Sequence, residues 1–272
     1  MALGAHEGNR VMPRAAQPAS RRKNDYAVHS VENALDLIDA ICEEGGEARV
    51  SRLSERLGMS KASVFRLLAT FENRGFVERS DDSLKYRLGL SAYEMGQKIL
   101  ARMGMLRKAR PIMDRLARQC NEAVYFVVRR GSEVLMLDMI DSPQKVKVMP
   151  LVGVRFPITT AAGQIFLAFE ADVCGHDRKR KGEQNTPELA MDDLESVRSR
   201  GFRVDEQGFG DGVTCLAVPL LNGKGHVAAA LAILGPGFRM TQERFDAELL
   251  PQLREAGANI SAGLGYLGGY PR

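Results

Sequence analysis

Between residues 60 and 71 the chain sets Lys61, Ser63, Phe65, Arg66 and Thr70 against Val64, Leu67, Leu68 and Phe71. The apolar set follows i, i+3, i+4 and i+7, the pattern of a helix with one buried side. The opposite side is basic, hydroxyl-bearing and partly aromatic. Such groups suit a nucleic-acid duplex: Arg pairs bidentately with guanine, hydroxyls bond phosphate or base edges, and an aromatic ring meets a thymine methyl. Ser60, Lys61, Ala62, Ser63, Phe65 and Arg66 are therefore the candidate DNA-contacting residues, with Arg66 foremost for a base.

The elements around this helix must position it. Ser60 has the type and place of an N-cap, and Gly75 follows the last turn. Upstream, Val50, Leu53 and Leu57 share a helical face that Gly58 ends. Downstream, Phe76 to Arg79, the polar turn Ser80-Asp81-Asp82-Ser83, and Leu84, Tyr86 and Leu88 alternating with Lys85 and Arg87 describe a hairpin. Its expected buried face carries Leu84, Tyr86 and Leu88. Its basic face gives Lys85 and Arg87 as candidate phosphate contacts. A first helix is expected from Val31, Leu35, Ile38 and Cys42, ended by Glu43-Glu44-Gly45-Gly46. Residues 50–71 alone would also suit two surface helices with solvated cations. The added helix and hairpin complete a winged helix-turn-helix, which presents a helix N-terminus to the major groove of double-stranded DNA.

Charge is distributed to match. The 272 residues carry a formal net charge of +4, and residues 49–88 alone hold nine bases against five acids. The first 24 residues hold Arg10, Arg14, Arg21, Arg22 and Lys23 against Glu7, so the remainder is slightly acidic. A basic head on an acidic body fits a nucleic-acid binder whose second part does something else. Residues 1–25, rich in Ala, Pro, Arg and Gln, are expected to be disordered. No apolar stretch approaches the roughly 20 residues of a membrane helix, and the N-terminal residues lack the apolar core of a secretory signal. The expectation is a cytoplasmic protein with no membrane partner. Cys42, Cys120, Cys174 and Cys215 are widely spaced, which predicts free, mostly buried thiols. Cys174-Gly175-His176 is a lone C-x-H, short of a metal site, and no cofactor motif is present.

Past the hairpin, Leu90–Met103 reads as a linker helix. A second helical run carries Leu106, Ala109, Met113, Leu116 and Cys120, with a break or kink expected at Pro111. The apolar seam of this region also suits pairing with another chain. Strands are expected at Ala123–Arg129, Glu133–Asp141, Lys145–Leu151, Phe202–Asp205, Cys215–Leu221 and His226–Leu234. Helices are expected at Thr159–Glu170, Pro187–Arg200 and from Thr241, with residues 171–186 as loop. This mixture predicts an α+β body built on an antiparallel-rich sheet.

Three segments of that body carry a family signature: Gly153-Val154-Arg155-Phe156-Pro157-Ile158-Thr159-Thr160-Ala161-Ala162-Gly163-Gln164, then Arg200 to Glu206 with Gly212 to Pro219, and Gly235-Pro236. With the winged head, they make residues 28–260 resemble the IclR-type bacterial transcription regulators. The resemblance implies a GAF-like effector domain at 105–272, joined by a linker helix at 90–104 to a winged head at 26–89. It further implies a ligand pocket between the sheet and the Ala161-Ala162-Gly163 turn, with Asp205, Cys215, Ala232 and Leu234 at pocket-lining positions. Helix-opening N–H groups at Ala161 and Ala162 suit a carboxylate. Gln164 departs from the family's usual Lys. Ala232 and Leu234 stand where members that bind small keto-acids carry serines, which favours a larger or more apolar acid such as an aromatic carboxylate.

The leading expectation is a DNA-binding regulator that acts as a homo-oligomer, a dimer or dimer of dimers, reads a near-palindromic operator and senses a small organic acid. The rival is a GAF-like thiol-dependent reductase using Cys174 and Cys215. An apolar strand around Cys215 favours burial over reactivity, and the catalytic patterns of hydrolases and nucleotide-binding enzymes are missing, so no catalytic residue is assigned.

Overall fold

The computed structural model describes residues 28–44, 47–80, 84–170 and 191–271. The tail, the wing tip at Asp81 to Ser83, and the 171–186 segment with Cys174 and His176 lie outside the described residues. The chain divides into two compact units between Ile99 and Leu100.

The first unit runs α1 (His29–Glu43), β1 (Glu47–Arg49), α2 (Val50–Leu57), α3 (Lys61–Asn73), β2 (Val77–Arg79), β3 (Lys85–Leu88) and the start of α4 (Leu90–Arg102). Gly58 ends α2 at φ +63, a left-handed turn that a residue with a Cβ adopts only at a cost. Leu37, Ala40, Ile41, Ala48, Leu53, Val64, Leu68, Val77 and Tyr86 form the core. Leu53 is fully buried, so Leu53→Ala would cost about 2–5 kcal/mol.

Two features of this unit differ from the sequence expectation. The buried face of α1 is Leu37, Ala40 and Ile41 with Ile38 beside them, while Val31 and Leu35 are 54% and 62% exposed and Cys42 is exposed too. The wing is a three-stranded sheet of order β1-β3-β2, and β1 was not expected. Glu47 to Arg49 pairs antiparallel with Arg87 to Lys85. Leu84, expected in the core, is instead 62% exposed and enters β3 at φ +51.

The second unit contains the end of α4, α5 (Gly104–Cys120), β4 (Ala123–Arg130), β5 (Glu133–Ile140), β6 (Arg155–Pro157), α6 (Ala161–Glu170), α7 (Met191–Arg200), β7 (Arg203–Asp205), β8 (Val213–Leu221) and β9 (Val227–Pro236). A short turn α8 (Gln242–Arg244), a π-helical turn (Phe245–Leu249) and α9 (Leu250–Gly263) follow. The strands make one antiparallel sheet of order β6-β5-β4-β9-β8-β7. Helix α5 continues through Pro111, so the expected break does not occur there, and Leu106, Ala109, Met113, Leu116 and Cys120 are its buried face as the spacing predicts. The strand expected at Lys145–Leu151 is absent: only Val148 of its residues is buried, and β5 pairs instead with β6.

The two sheet faces differ in kind. Towards α5 and α9 the central strands present Val124, Phe126, Leu216, Val218, Leu220, Leu231 and Ile233. Towards α6 and α7 they present Ala123, Cys215, Ala217, Ala230 and Ala232, with Tyr125, Val127 and Leu234 as the larger members. One face is a packed wall of branched side chains, the other a floor of small ones. Glu122, 1% exposed, anchors the end of β4 to the turn after β9. It accepts Arg239 Nε and Nη2 at 2.7 and 2.8 Å and Arg244 Nη1 at 3.0 Å.

Candidate functional site

In the first unit, local capping fixes the start of α3. Ser60 Oγ accepts the Ser63 N–H at 3.1 Å and lies 2.9 Å from Ser63 Oγ, so both hydroxyls serve the cap and face solvent together. Lys61, Ala62, Ser63, Phe65 and Arg66 are all exposed, while Val64 and Leu68 on the far side are fully buried. Phe65 is 51% exposed, an unusual position for an aromatic residue. Neither Lys61 nor Arg66 has a carboxylate partner among the described residues. Thr70 Oγ1 donates to the Arg66 carbonyl at 2.8 Å, which turns that hydroxyl back onto its own helix.

The wing cations are placed differently from α3's. Lys85 Nζ lies 3.2 Å from Glu47 Oε2, and Arg87 Nη2 lies 3.1 Å from Glu78 Oε2. Register explains this: Glu47, Arg87 and Glu78 stand in one row across β1, β3 and β2, and Lys85, opposite Arg49, is the diagonal neighbour of Glu47 on the same face. The acids come from strands that flank the two cations, one of them the unforeseen β1. These exposed pairs are individually weak, so they are competition for phosphate rather than a barrier to it. Between α3 and the sheet runs a groove of about 420 Å³ lined by Arg49, Val50, Ser51, Phe65, Arg79, Leu84 and Tyr86.

In the second unit, the residues singled out on the body come together on the small-residue floor. Asp205, Cys215, Leu234 and Ala123 lie in one row across β7, β8, β9 and β4, and the next row on that face holds Ala217, Ala232 and Tyr125. Ala161 and Ala162, at the start of α6, are fully buried in the same cluster. Asp205 Oδ2 accepts the Ala161 N–H at 3.2 Å, while Oδ1 accepts those of Gln207 and Gly208 at 2.9 and 2.8 Å. The chain thus supplies its own carboxylate to the first N–H of α6. Gly163 has no room for a side chain, since a Cβ there would lie 2.2 Å from the Ile158 carbonyl oxygen. Gln164 Nε2 donates to the Thr159 carbonyl at 2.6 Å, and its buried Oε1 has no partner among the described residues. Tyr125, not singled out from sequence, is fully buried beside Ala232, and burial raises its phenol pKa while the Leu151 backbone opposes the shift. Its signal was a polar-tipped aromatic residue inside the apolar run Ala123-Val124-Tyr125-Phe126-Val127.

The thiol chemistry required of a reductase finds no support in Cys215. Its side chain is fully buried, and burial, with Asp205 adding to it, pushes the thiol well above the ordinary cysteine range. A nucleophilic thiolate needs the opposite shift. Among the described residues no three His, Cys, Asp or Glu side chains gather to hold a metal, and no helix is long and apolar enough to cross a membrane.

Comparison with known proteins agrees with both units. The sequence model described as "IclR helix-turn-helix domain" matches residues 30–81, and "Bacterial transcriptional regulator IclR C-terminal" matches residues 97–262. The HTH-type transcriptional regulator KdgR of Escherichia coli K12 is 30% identical over 253 residues, covering 90% of this chain and 95% of its own. Among solved structures, an IclR regulator from Alicyclobacillus acidocaldarius shares the fold at TM-score 0.73 and 24% identity, over 87% of this chain and 99% of its own. An IclR homologue from Microbacterium hydrocarbonoxydans, crystallised with 4-hydroxybenzoate, shares it at TM-score 0.70 and 21% identity, over 86% and 98%. The family's helix-turn-helix domain and C-terminal domain together account for nearly all of the described residues, and this chain belongs to the IclR family of bacterial transcriptional regulators.

Proposed function

We propose that this protein is a dimeric, ligand-responsive regulator that binds a near-palindromic operator through α3 and senses a small organic acid in its C-terminal domain. In this reading residues 26–89 are the head, 90–104 the linker and 105–272 the effector domain. The observation that carries the DNA half is the exposed face of Lys61, Ser63, Phe65 and Arg66 on a helix whose start is capped and whose other side is locked in the core. A rigid helix N-terminus with available cations and an available ring is what a major groove accepts.

Support for the dimer comes from apolar side chains left in solvent within the first unit: Val31 and Leu35 on α1, and Leu90, Tyr93, Met95 and Ile99 on α4. Apolar residues at helical spacing on two exposed faces are costly in a monomer and suit association with a second copy.

Support for the effector half is the row of Asp205, Cys215 and Leu234 with Ala232 beside it, facing the opening of α6. Asp205 satisfies Ala161, and Gln164 bonds the Thr160 carbonyl. The N–H groups of Ala162 and Gly163, which have no acceptor within the helix, are left for a ligand carboxylate. The alanines beside it obstruct an aromatic ring less than branched side chains would. Effector binding regulates only through unequal affinity for two arrangements of the heads.

The test is fluorescence anisotropy of the full chain on the intergenic DNA upstream of its own gene against a scrambled duplex, with sedimentation for mass. Preference for the upstream fragment, lost or gained on adding 4-hydroxybenzoate or another aromatic carboxylate, is the expected result. Equal binding to both duplexes with no response to any carboxylate would refute it.

A further inference from the structure

The groove between α3 and the wing has a composition that the recognition helix alone does not require. Its floor and walls are Val50, Phe65, Leu84 and Tyr86, its polar members are Arg49, Ser51 and Arg79, and no carboxylate lines it among the described residues. Arg49 and Arg79 come from the two strands that flank β3, Arg49 opposite Lys85 and Arg79 opposite Tyr86, and both line the groove. Both are exposed, and neither has a carboxylate partner among the described residues. The cations that sequence assigns to the wing, Lys85 and Arg87, are the ones already held by Glu47 and Glu78. Two available guanidiniums at the rim of a mainly apolar trough complement a chain of negative phosphates joined by apolar sugars.

From this we infer that the groove seats the sugar–phosphate backbone of one DNA strand, with Arg49 and Arg79 gripping phosphates and Phe65 and Leu84 lying against deoxyribose. This rests on the DNA-binding reading and deepens it by assigning the sequence-independent share of affinity to residues outside the recognition face. Phe65 then divides its ring between the groove wall and the α3 surface. Ser51 supplies a neutral hydroxyl donor to the same strand.

The experiment compares the full-length wild type with Arg49→Gln/Arg79→Gln and Lys85→Gln/Arg87→Gln, on the upstream duplex and on a scrambled duplex of equal length, over a salt series. Removing one cation from a phosphate lowers the slope of log affinity against log salt by about 0.9. The Arg49→Gln/Arg79→Gln protein is expected to lose slope and affinity equally on both duplexes. The Lys85→Gln/Arg87→Gln protein should keep a slope nearer the wild type. Arg49→Lys/Arg79→Lys, which retains charge, should restore most of the slope and serves if the glutamine pair folds poorly. An unchanged slope in the correctly folded arginine variants overturns the inference while leaving DNA binding intact. A loss confined to the upstream duplex would make these base contacts and overturns it too. So would a changed sedimenting mass with unaltered DNA binding, because the groove would then join two copies. A wild type that binds neither duplex would bring down the DNA reading itself.

Discussion

The carboxylate of Asp205 on the edge strand β7 accepts the Ala161 N–H at 3.2 Å, tying the last row of the sheet to the first turn of α6. The same group holds the Gln207 and Gly208 amides, so one side chain organises the opening of the helix and the loop after β7. Removing a charged acceptor from several amides costs more than an ordinary surface change. Asp205→Ala is expected to lower unfolding free energy by about 2 kcal/mol in urea titrations, with Asp205→Asn recovering part of it. On the proposed function both variants also lose the ligand response, and an Asp205→Asn protein with full stability and full response would separate this residue from the site.

Arg66 stands on the exposed face of α3 with no carboxylate partner among the described residues. Its replacement by alanine is expected to cost about 1–3 kcal/mol on the cognate duplex and less on random DNA, read by anisotropy at fixed salt. A uniform loss on both would place it on phosphate.

Glu122 is buried between two guanidiniums, each of which it accepts at 3.0 Å or less. Glu122→Ala strands two partly buried cations and removes the tie between β4 and the turn after β9. The expected loss is about 3–5 kcal/mol, measured by chemical denaturation. Its effect on the first unit is expected to be small, because the core of that unit shares no residue with this network. A two-phase unfolding curve with only the second transition shifted is the predicted signature.

Cys120 gives the alkaline limb. Burial pushes its thiol up from 9.0 to about 11, so the folded chain holds the proton more tightly than the unfolded one. The contribution is whole below about pH 9 and is lost as pH rises from 9 to 11, to an extent on the order of 2 kcal/mol. Cys120→Ala should flatten the decline of stability over that range without abolishing it, since the Cys215 thiol is shifted in the same direction.

What could be read from the sequence follows from how far each signal reaches along the chain. The α5 face from Leu106 to Cys120 was legible because apolar residues recur over four turns and every one is buried. Ser60 was legible as a cap because cap and amide are three residues apart. Strand β1 was not, since Glu47-Ala48-Arg49 offers a single buried residue and its partner lies across the wing. The face of α1 was misread because Val31 and Leu35 are apolar without belonging to this chain's own core. The alternating Lys145-Val146-Lys147-Val148 imitates a strand, yet the sheet edge beside β5 is taken by β6. The capping of Ala161 by Asp205 spans 44 residues, beyond any local pattern.

Leu84 combines two costs that a folding domain normally avoids: a left-handed backbone at φ +51 and a side chain 62% in water. A branched residue held there forfeits roughly 1–2 kcal/mol relative to glycine, and it repays nothing to the core. Leu84→Gly is accordingly expected to melt higher while binding DNA less tightly. A variant library ranked by heat resistance alone would discard this leucine early, and with it one wall of the groove. In this head, the most tolerant-looking surface position is the one where durability and purpose pull in opposite directions.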